Sequence, residues 1–430
     1  MSEPSRRSAA PLVTGLCWVL VVFDGYDLIV YGTVLPELLD EPGWNLTENS
    51  AGLLGSLAFA GMLVGALLAG RLADTLGRRR TILACTAWFS VLTALCAIAP
   101  NPAVFGVFRL LAGLGLGGLV PSASALATEY VGARNRSVVA TLMMSGVPIG
   151  GSLAALAGIG VLPRFGWQAM FAIALLAVVV VLPLCVRLLP ESPAWLRSKG
   201  RDAQALALEE RFGLTPEPAA ERVSTGGFRA LLRPPFTRAT MLFAAATVAT
   251  LFAWYGLGTW LPQLMRQSGF DLGSSLTFLL ALNLGAVAGS LVTAWLGTRA
   301  GPARAGAFAA AAAAVGLLVL LVHPPSLAVY CALVFAGVGT HGTQCLIIAA
   351  VADHYPAHLR GSALGFALGA GRIGAVLAPQ AGGWLLAAGL GVDAAFLVFA
   401  VAAAVAGALL LTRPSTPAPS IPQPEGVTTR

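Results

Sequence analysis

The chain has 430 residues, 57% of them hydrophobic and only 10% charged, with 26 Lys and Arg against 19 Asp and Glu. A soluble domain carries about a quarter charged residues, so this composition excludes a soluble enzyme or binding module. The formal net charge of +7 would fit a nucleic-acid partner only if the basic residues clustered on one folded surface, and they do not.

Apolar runs of about 20 residues, separated by short polar breaks, mark a polytopic helical membrane protein. Twelve spans are predicted, near residues 12–36, 50–70, 81–99, 102–127, 137–161, 166–189, 239–262, 274–296, 305–322, 326–350, 361–386 and 392–412. With both termini cytoplasmic, 22 of the 26 Lys and Arg fall at cytoplasmic ends and loops. Only Arg164 and Arg266 lie outside, and Arg109 and Arg372 lie within spans. This is the positive-inside asymmetry. The basic balance therefore reports topology and gives no support for nucleic acid. The start, SRRSAAPLVTGL, carries paired arginines but no convincing cleavage site, and reads as an uncleaved first helix after a tail over 1–11.

The first span contains VVFDGYDLIVYG, with Asp24 and Asp27 in its middle. A carboxylate at the centre of a membrane helix costs roughly 2.5 to 3.5 kcal/mol, so the pair calls for a purpose. Three residues apart, the two aspartates share a helix face, and Tyr31 extends that stripe by a turn. Between spans two and three stands GRLADTLGRRR, residues 70–80, in which Asp74 can pair with arginines or cap the next helix. Span four, FRLLAGLGLGGLVPSASALATEY, holds Arg109 about two turns inside, and a buried arginine in a membrane faces the bundle interior and pairs. Its glycines follow no strand and read as helix-packing positions, not a phosphate cradle.

PESPAWL, residues 190–196, closes span six, with Pro190 ending the helix and Glu191 set to pair with loop arginines. The segment 191–238 holds 14 charged residues and one short helical pattern near Asp202 to Phe212. It divides the chain into bundles over 12–190 and 239–412, and the tail 413–430, rich in Pro, Ser and Thr, reads as disordered. The halves repeat one another. GTVLPELL from Gly32 recurs as GTWLPQLM from Gly258, and Glu129-x-x-x-Ala133-x-x-Arg136 recurs as Asp353-x-x-x-Ala357-x-x-Arg360. Offsets of 226 and 224 in corresponding places point to a duplicated six-helix unit, a common plan for transporters with a site between the repeats. All six cysteines fall inside spans without metal-ligand spacing and read as packing residues. No metal cluster, cofactor motif, nucleophile elbow or Walker loop is present, so nothing supports an enzyme.

The loop pattern G-x-L-A-D-x-x-G-R-R resembles the signature of the major facilitator superfamily, as do R-x-x-x-G-x-G-x-G-G in span four and PESPAWL. Its second-half counterpart, GTRAGPARAG from Gly297, lacks the aspartate. The stretch DGYDLIVYGTVLP, with WNLTENSAGLLGS, LPRFGWQAMF and LRGSALGFALGAGRIGA, resembles the aromatic acid:proton symporter family, its benzoate-type members most. The resemblance implies an all-α fold of twelve transmembrane helices in two pseudo-symmetric six-helix bundles, working as a monomer in a bacterial cytoplasmic membrane. It implies alternating-access import of a benzoate-like carboxylate with protons.

It further implies that spans one, four, seven and ten line a central cavity and that Asp24 and Asp27 are needed for transport. Two carboxylates close together in a poorly hydrated cavity cannot both ionise cheaply, which suits one of them to carrying the proton. The alternative is permanent pairing with arginine that only sets packing, Arg109 being the candidate partner of Asp27. Arg109 and Arg372 are the buried cations available for a substrate carboxylate, and Tyr26, Tyr31, Trp254, Tyr255 and Trp260 are candidate walls for its ring, unless they face lipid. His341 and Gln344 on span ten are further cavity candidates. Asp74, Arg78, Glu129, Arg136, Asp353 and Arg360 are expected to make the cytoplasmic charge contacts that hold the halves in one state. A drug:proton antiporter would share the fold but carry an unbroken G-P-x-x-G-G where this chain has Gly146-Val147-Pro148-Ile149-Gly150-Gly151. A sugar or other organic-acid carrier would share PESPAWL, and a non-transporting sensor would be separated by an uptake assay.

Overall fold

A computed structural model describes residues 9–132, 135–214 and 226–412. The tail expected over 413–430, most of the tail over 1–11, and Ala133 of the repeat lie outside the described residues. The described chain is helical: α1 (Ala9–Leu39), α2 (Glu48–Leu76), α3 (Arg78–Cys96), α4 (Pro102–Glu129), α5 (Arg136–Ala172), α6 (Leu182–Leu188), α7 (Pro193–Ser198), α8 (Asp202–Phe212), α9 (Gly226–Leu231), α10 (Thr237–Gln267), α11 (Leu272–Ala300), α12 (Pro302–Leu320), α13 (Ser326–His354), α14 (Ala357–Ala387) and α15 (Gly391–Leu411). Helix α8 falls where the charged segment showed its one helical pattern.

Ten helices among the described residues are long and apolar enough to cross a bilayer, against twelve spans expected. The differences sit at the third and sixth spans. Helix α3 has the length, 19 residues, but opens on three arginines and carries Thr81, Thr86, Ser90 and Thr93, all buried against its neighbours. Its polarity faces inward, which lowers its mean hydropathy without exposing polar groups to lipid. The sixth span begins inside α5, after a bend at Gly166 (φ 69, ψ 178), and continues through a π-helical turn at Ala177–Val181 into α6. Pro183 has no N–H to return to the preceding turn, and the widened turn stands directly before it.

Local signals set the other boundaries. Thr47 and Ser50 form a reciprocal cap at the start of α2, Asn101 caps α4 ahead of Pro102, and Asp271 caps α11 through Ser274 N–H at 2.8 Å. Bonds from the Ser274 backbone and hydroxyl hold the exposed Asp271 carboxyl below the usual aspartate range. A single glycine separates α2 from α3 (Gly77, φ 95) and another separates α11 from α12 (Gly301, φ 79). Both conformations suit glycine, and the two positions are 224 apart. Helix lengths repeat too: α1 and α10 have 31 residues, α2 and α11 have 29, α3 and α12 have 19. The duplication read from short motifs is a duplication of geometry.

Within the first half α2 packs on α4 and α1 on α5, and within the second α11 packs on α13 and α10 on α14. The glycines of α4 work as close-approach positions. A Cβ on Gly113 or Gly117 would enter the α2 backbone at Ala58 or Met62, and one on Gly115 would meet Cys85 and Phe89 of α3. Cys17, Cys96 and Cys185 are buried, Cys85 and Cys345 are half-buried, and Cys331 alone of the six is exposed.

The halves meet at one end and part at the other. Gly32 lies against the Gly258 carbonyl and Thr259, so the repeated GT-x-LP segments oppose each other directly. Beyond them Arg266 pairs with Asp40 at 3.1 Å, and Gln380 of α14 donates to Asn49 of α2 at 2.7 Å. At mid-helix Phe59 of α2 stacks on Tyr255 of α10, ring centroids 4.5 Å apart. Toward the end that bears the arginine-rich loops, a Cβ on Gly70 of α2 or on Gly361, Gly365 or Gly369 of α14 would meet nothing within 4 Å. The space between the halves thus opens toward this basic end.

Candidate functional site

Asp24 stands fifteen residues from either end of α1, and Arg372 fifteen residues from either end of α14. Two charged side chains therefore occupy the midpoints of helices from opposite halves. Each needs compensation there, because an uncompensated charge at membrane depth is costly.

Asp27 is compensated within its own half. Its Oδ2 accepts from Arg109 Nη1 at 2.9 Å and its Oδ1 from the Thr93 hydroxyl of α3 at 2.5 Å. The guanidinium also donates to the Asp27 carbonyl at 3.3 and 3.4 Å. Arg109 is fully buried, with Tyr31 and Phe171 facing it at 5.8 and 6.0 Å. The pairing of Asp27 with Arg109 anticipated from sequence is present. It also removes Arg109 from the open cavity, where it had been a candidate for the substrate carboxylate.

Asp24 has no such ion pair among the described residues. It is 1% exposed, lies within electrostatic reach of Arg372, and its Oδ1 has no hydrogen-bond partner among the described residues. The Arg372 guanidinium donates to the Met62 sulfur of α2 at 2.7 Å and lies within bonding reach of the Tyr255 hydroxyl. The two aspartates share a helix face, as their spacing required, yet each answers to a different arginine in a different half.

On α13, His341 and Gln344 are buried three residues apart. Trp254 of α10 packs on the His341 ring at 5.4 Å, and the imidazole reaches the Met144 backbone of α5. His341 Nε2 and both polar atoms of the Gln344 amide lack partners. An unsatisfied buried polar group costs about 1–3 kcal/mol, and these three atoms, unpartnered among the described residues, lie on one helix face.

Three of the candidate ring walls are engaged elsewhere. Tyr26 donates its hydroxyl to the Met170 carbonyl at 2.8 Å, Tyr31 to the Ala51 carbonyl at 2.6 Å, and the Trp260 indole to the Pro379 carbonyl at 2.8 Å. They tie helices together, while Trp254, Tyr255 and Phe59 remain around the central cluster. Thr93, Met62, Phe59 and Asn283, whose Oδ1 is unpartnered beside Gly151, were not singled out in the sequence. For Thr93 a signal existed in the polar stripe of α3; for Met62 there was none.

The charges at the basic end are bound within the first half in this arrangement. Arg78 pairs with Glu129, and Glu129 accepts from the Ser192 hydroxyl at 2.5 Å. Glu191 accepts the Arg79 backbone N–H at 2.9 Å and so caps α3, and it also lies within electrostatic reach of the Arg78 guanidinium. Tyr130 donates to the Glu191 carbonyl at 2.6 Å, and the Trp195 indole to the Asp74 carbonyl at 3.0 Å. Asp74 itself is exposed. In the second half Arg360 donates to the Tyr355 carbonyl at 3.0 Å and Asp353 is exposed, while Arg136 stands at the start of α5.

A family model for the Major Facilitator Superfamily matches residues 17–379 and 283–429. The chain is 51% identical over 405 residues to a gentisate transporter of Corynebacterium glutamicum, covering 93% of this chain and 85% of that protein. It is 34% identical over 386 residues to a benzoate transport protein of Acinetobacter baylyi, covering 86% and 82%. Its fold matches the proton:xylose symporter XylE with a TM-score of 0.72 at 16% identity, over 95% of this chain and 96% of that one. The chain is a multi-pass membrane protein with the major facilitator fold, and it belongs to the Major Facilitator Superfamily, among that superfamily's aromatic acid transporters.

Proposed function

We propose that this transporter imports a hydroxylated aromatic carboxylate together with one proton across a bacterial cytoplasmic membrane. The observation that carries the reading is the contrast between the two aspartates. Asp27 is locked to Arg109 and Thr93, whereas Asp24 lies only within electrostatic reach of Arg372 and keeps an oxygen unbonded among the described residues.

When Asp24, Asp27, Arg109 and Arg372 are all ionised, these four groups sum to no net charge. An entering carboxylate adds one negative charge to a site of low dielectric. Arg372 is the cation it can reach, since the guanidinium offers two parallel N–H donors to a carboxylate. Once the substrate takes Arg372, Asp24 loses its counter-charge, and a proton on Asp24 restores neutrality. Substrate and proton thus load together, and release of both toward the basic end restores the charge balance between Asp24 and Arg372. Tyr255 and Phe59 form an apolar wall beside the guanidinium, suited to the ring.

The unpartnered atoms of His341 and Gln344 give the ring's hydroxyl groups one donor, the Gln344 amide nitrogen, and two acceptors, Gln344 Oε1 and His341 Nε2. A site that hydrogen-bonds a substrate hydroxyl discriminates against the analogue lacking it far more strongly than an apolar pocket does. The 51% identity to a gentisate transporter supports a hydroxylated substrate over plain benzoate. The basic end is taken as cytoplasmic by the positive-inside rule, with both termini there. The bundles over 12–190 and 239–412 are the units that rock about the site, joined by 191–238, in a monomer needing no cofactor or metal.

Uptake of radiolabelled gentisate, benzoate and 4-hydroxybenzoate by cells expressing the chain tests this reading. Accumulation of a hydroxylated acid that collapses when a protonophore is added is the expected result. Uptake indifferent to the protonophore, or absent for all aromatic acids, would overturn it.

A further inference from the structure

Away from the central cluster, a second cavity of about 460 Å³ lies at the basic end, between the start of α3 and the α7–α8 pair. Its lining includes Arg79, Arg80, Arg201, Arg211, Glu191 and Trp195. Four guanidiniums there face one carboxylate, and that carboxylate is already occupied. Glu191 Oε1 accepts the Arg79 and Ser192 backbone N–H groups, each at 2.9 Å. None of the four arginines forms an ion pair among the described residues. Arg79 Nε is buried without a partner, Arg201 rests on the Trp195 ring at 5.8 Å, and Arg211 on the Phe212 ring at 5.2 Å.

The cavity adjoins an exposed apolar stretch of α6. Arg79 Nη2 donates to the Val186 carbonyl of α6 at 2.5 Å, and Val186 and Leu188 are 48% and 44% exposed, with exposed Arg187 between them. An anion with several oxygens and an apolar tail fits both surfaces at once. A volume of this size lies within the range of small-molecule sites, about 300–1,000 Å³. Basic pockets beside membrane helices suit phosphate-bearing headgroups.

We propose that this cavity binds the headgroup of an anionic phospholipid. The phosphate sits among Arg79, Arg80, Arg201 and Arg211, and the acyl chains run along Val186 and Leu188. A bound headgroup neutralises the excess of guanidinium charge around Glu191, the residue that caps α3 and anchors Tyr130. The site is separate from the substrate cluster and does not rest on the substrate reading.

The test is native mass spectrometry of the full chain in detergent with phosphatidylglycerol, phosphatidylcholine or inorganic phosphate. Phosphatidylglycerol is expected to stay bound to the parent chain against an excess of either competitor. The Arg201→Gln/Arg211→Gln variant should retain it roughly 30-fold less well, at about 1 kcal/mol per arginine removed. Arg229→Gln/Arg233→Gln, which removes two charges elsewhere at the same end, should retain it as the parent does. Equal loss in both variants would overturn the site, and displacement by inorganic phosphate would overturn the lipid. If the first variant does not fold, the competition on the parent and the Arg201→Lys/Arg211→Lys variant decide. Displacement from the parent by phosphatidylcholine, or loss of binding with both charges kept and the chain folded, would equally overturn the proposal.

Discussion

Replacing Asp24 by asparagine keeps the shape of the side chain and removes its capacity to alternate between charged and neutral forms. If Asp24 alone carries the coupled proton, a gradient of one pH unit supplies about 1.4 kcal/mol, or about a tenfold accumulation of substrate. In Asp24→Asn that ratio should fall to one, while exchange of labelled for unlabelled substrate across preloaded proteoliposomes continues, because Arg372 is still present. Asp27→Asn should behave differently. It strands the Arg109 guanidinium, which is 0% exposed, without its carboxylate. Breaking one side of a buried ion pair costs about 3–5 kcal/mol, so yield and heat stability should drop and exchange should be lost with accumulation. Adding Arg109→Gln to Asp27→Asn should recover much of the stability. Tenfold accumulation by Asp24→Asn would refute the assignment of the proton, and parent-like stability of Asp27→Asn would refute the assignment of the structural pair.

Arg372→Lys keeps the charge but loses the paired donors, and substrate affinity measured by equilibrium binding should weaken about tenfold or more, as expected for loss of one charge-assisted bond of roughly 1.5–3 kcal/mol. Gln344→Leu should reduce the preference for hydroxylated over unsubstituted benzoate in competition uptake, with benzoate transport itself little changed. Gly32→Val would drive a side chain into the Gly258 backbone, so the end where the halves now meet should fail to close, read as increased labelling of a cysteine introduced at Leu38, which is 0% exposed here. A one-to-one mechanism carries no net charge, so an inside-negative potential without a pH gradient should drive no accumulation in proteoliposomes, whereas a second proton would add about 2.3 kcal/mol per 100 mV.

The parts of the fold written in local chemistry were legible before any coordinates. Apolar run lengths gave nearly all the spans, the arginine distribution gave a common end, and two short repeats gave the duplication. The two spans that departed from expectation did so where hydropathy averages over both faces of a helix. In α3 the polar face is buried inward, and in the sixth span Pro183 and the preceding valines alter the helix without altering its apolarity. At the site, Asp24, Asp27, Arg109 and Arg372 stood out because charge inside an apolar run is conspicuous. Which arginine serves which aspartate was open for Asp24 and anticipated for Asp27. The tyrosines could not be sorted from sequence, since a wall for a ring and a hydroxyl tied to the Met170 or Ala51 carbonyl look alike in one dimension. Met62 was silent for the same reason: its role depends on Arg372, which is 310 residues away along the chain.

The polar stripe of α3 has a consequence for how the protein is made. A helix that opens on Arg78, Arg79 and Arg80 and carries four buried hydroxyls gains little by entering lipid alone. Thr81 and Thr86 donate back to the Gly77 and Ile82 carbonyls one turn earlier, but Thr93 finds its acceptor only on α1, at Asp27, and α4 covers the helix closely at Gly115 and Gly118. Thr93 is therefore satisfied only when α3 packs against the first helix. The same hydroxyl that fixes the aspartate in the finished carrier makes the third helix dependent on its partners while the chain is still emerging.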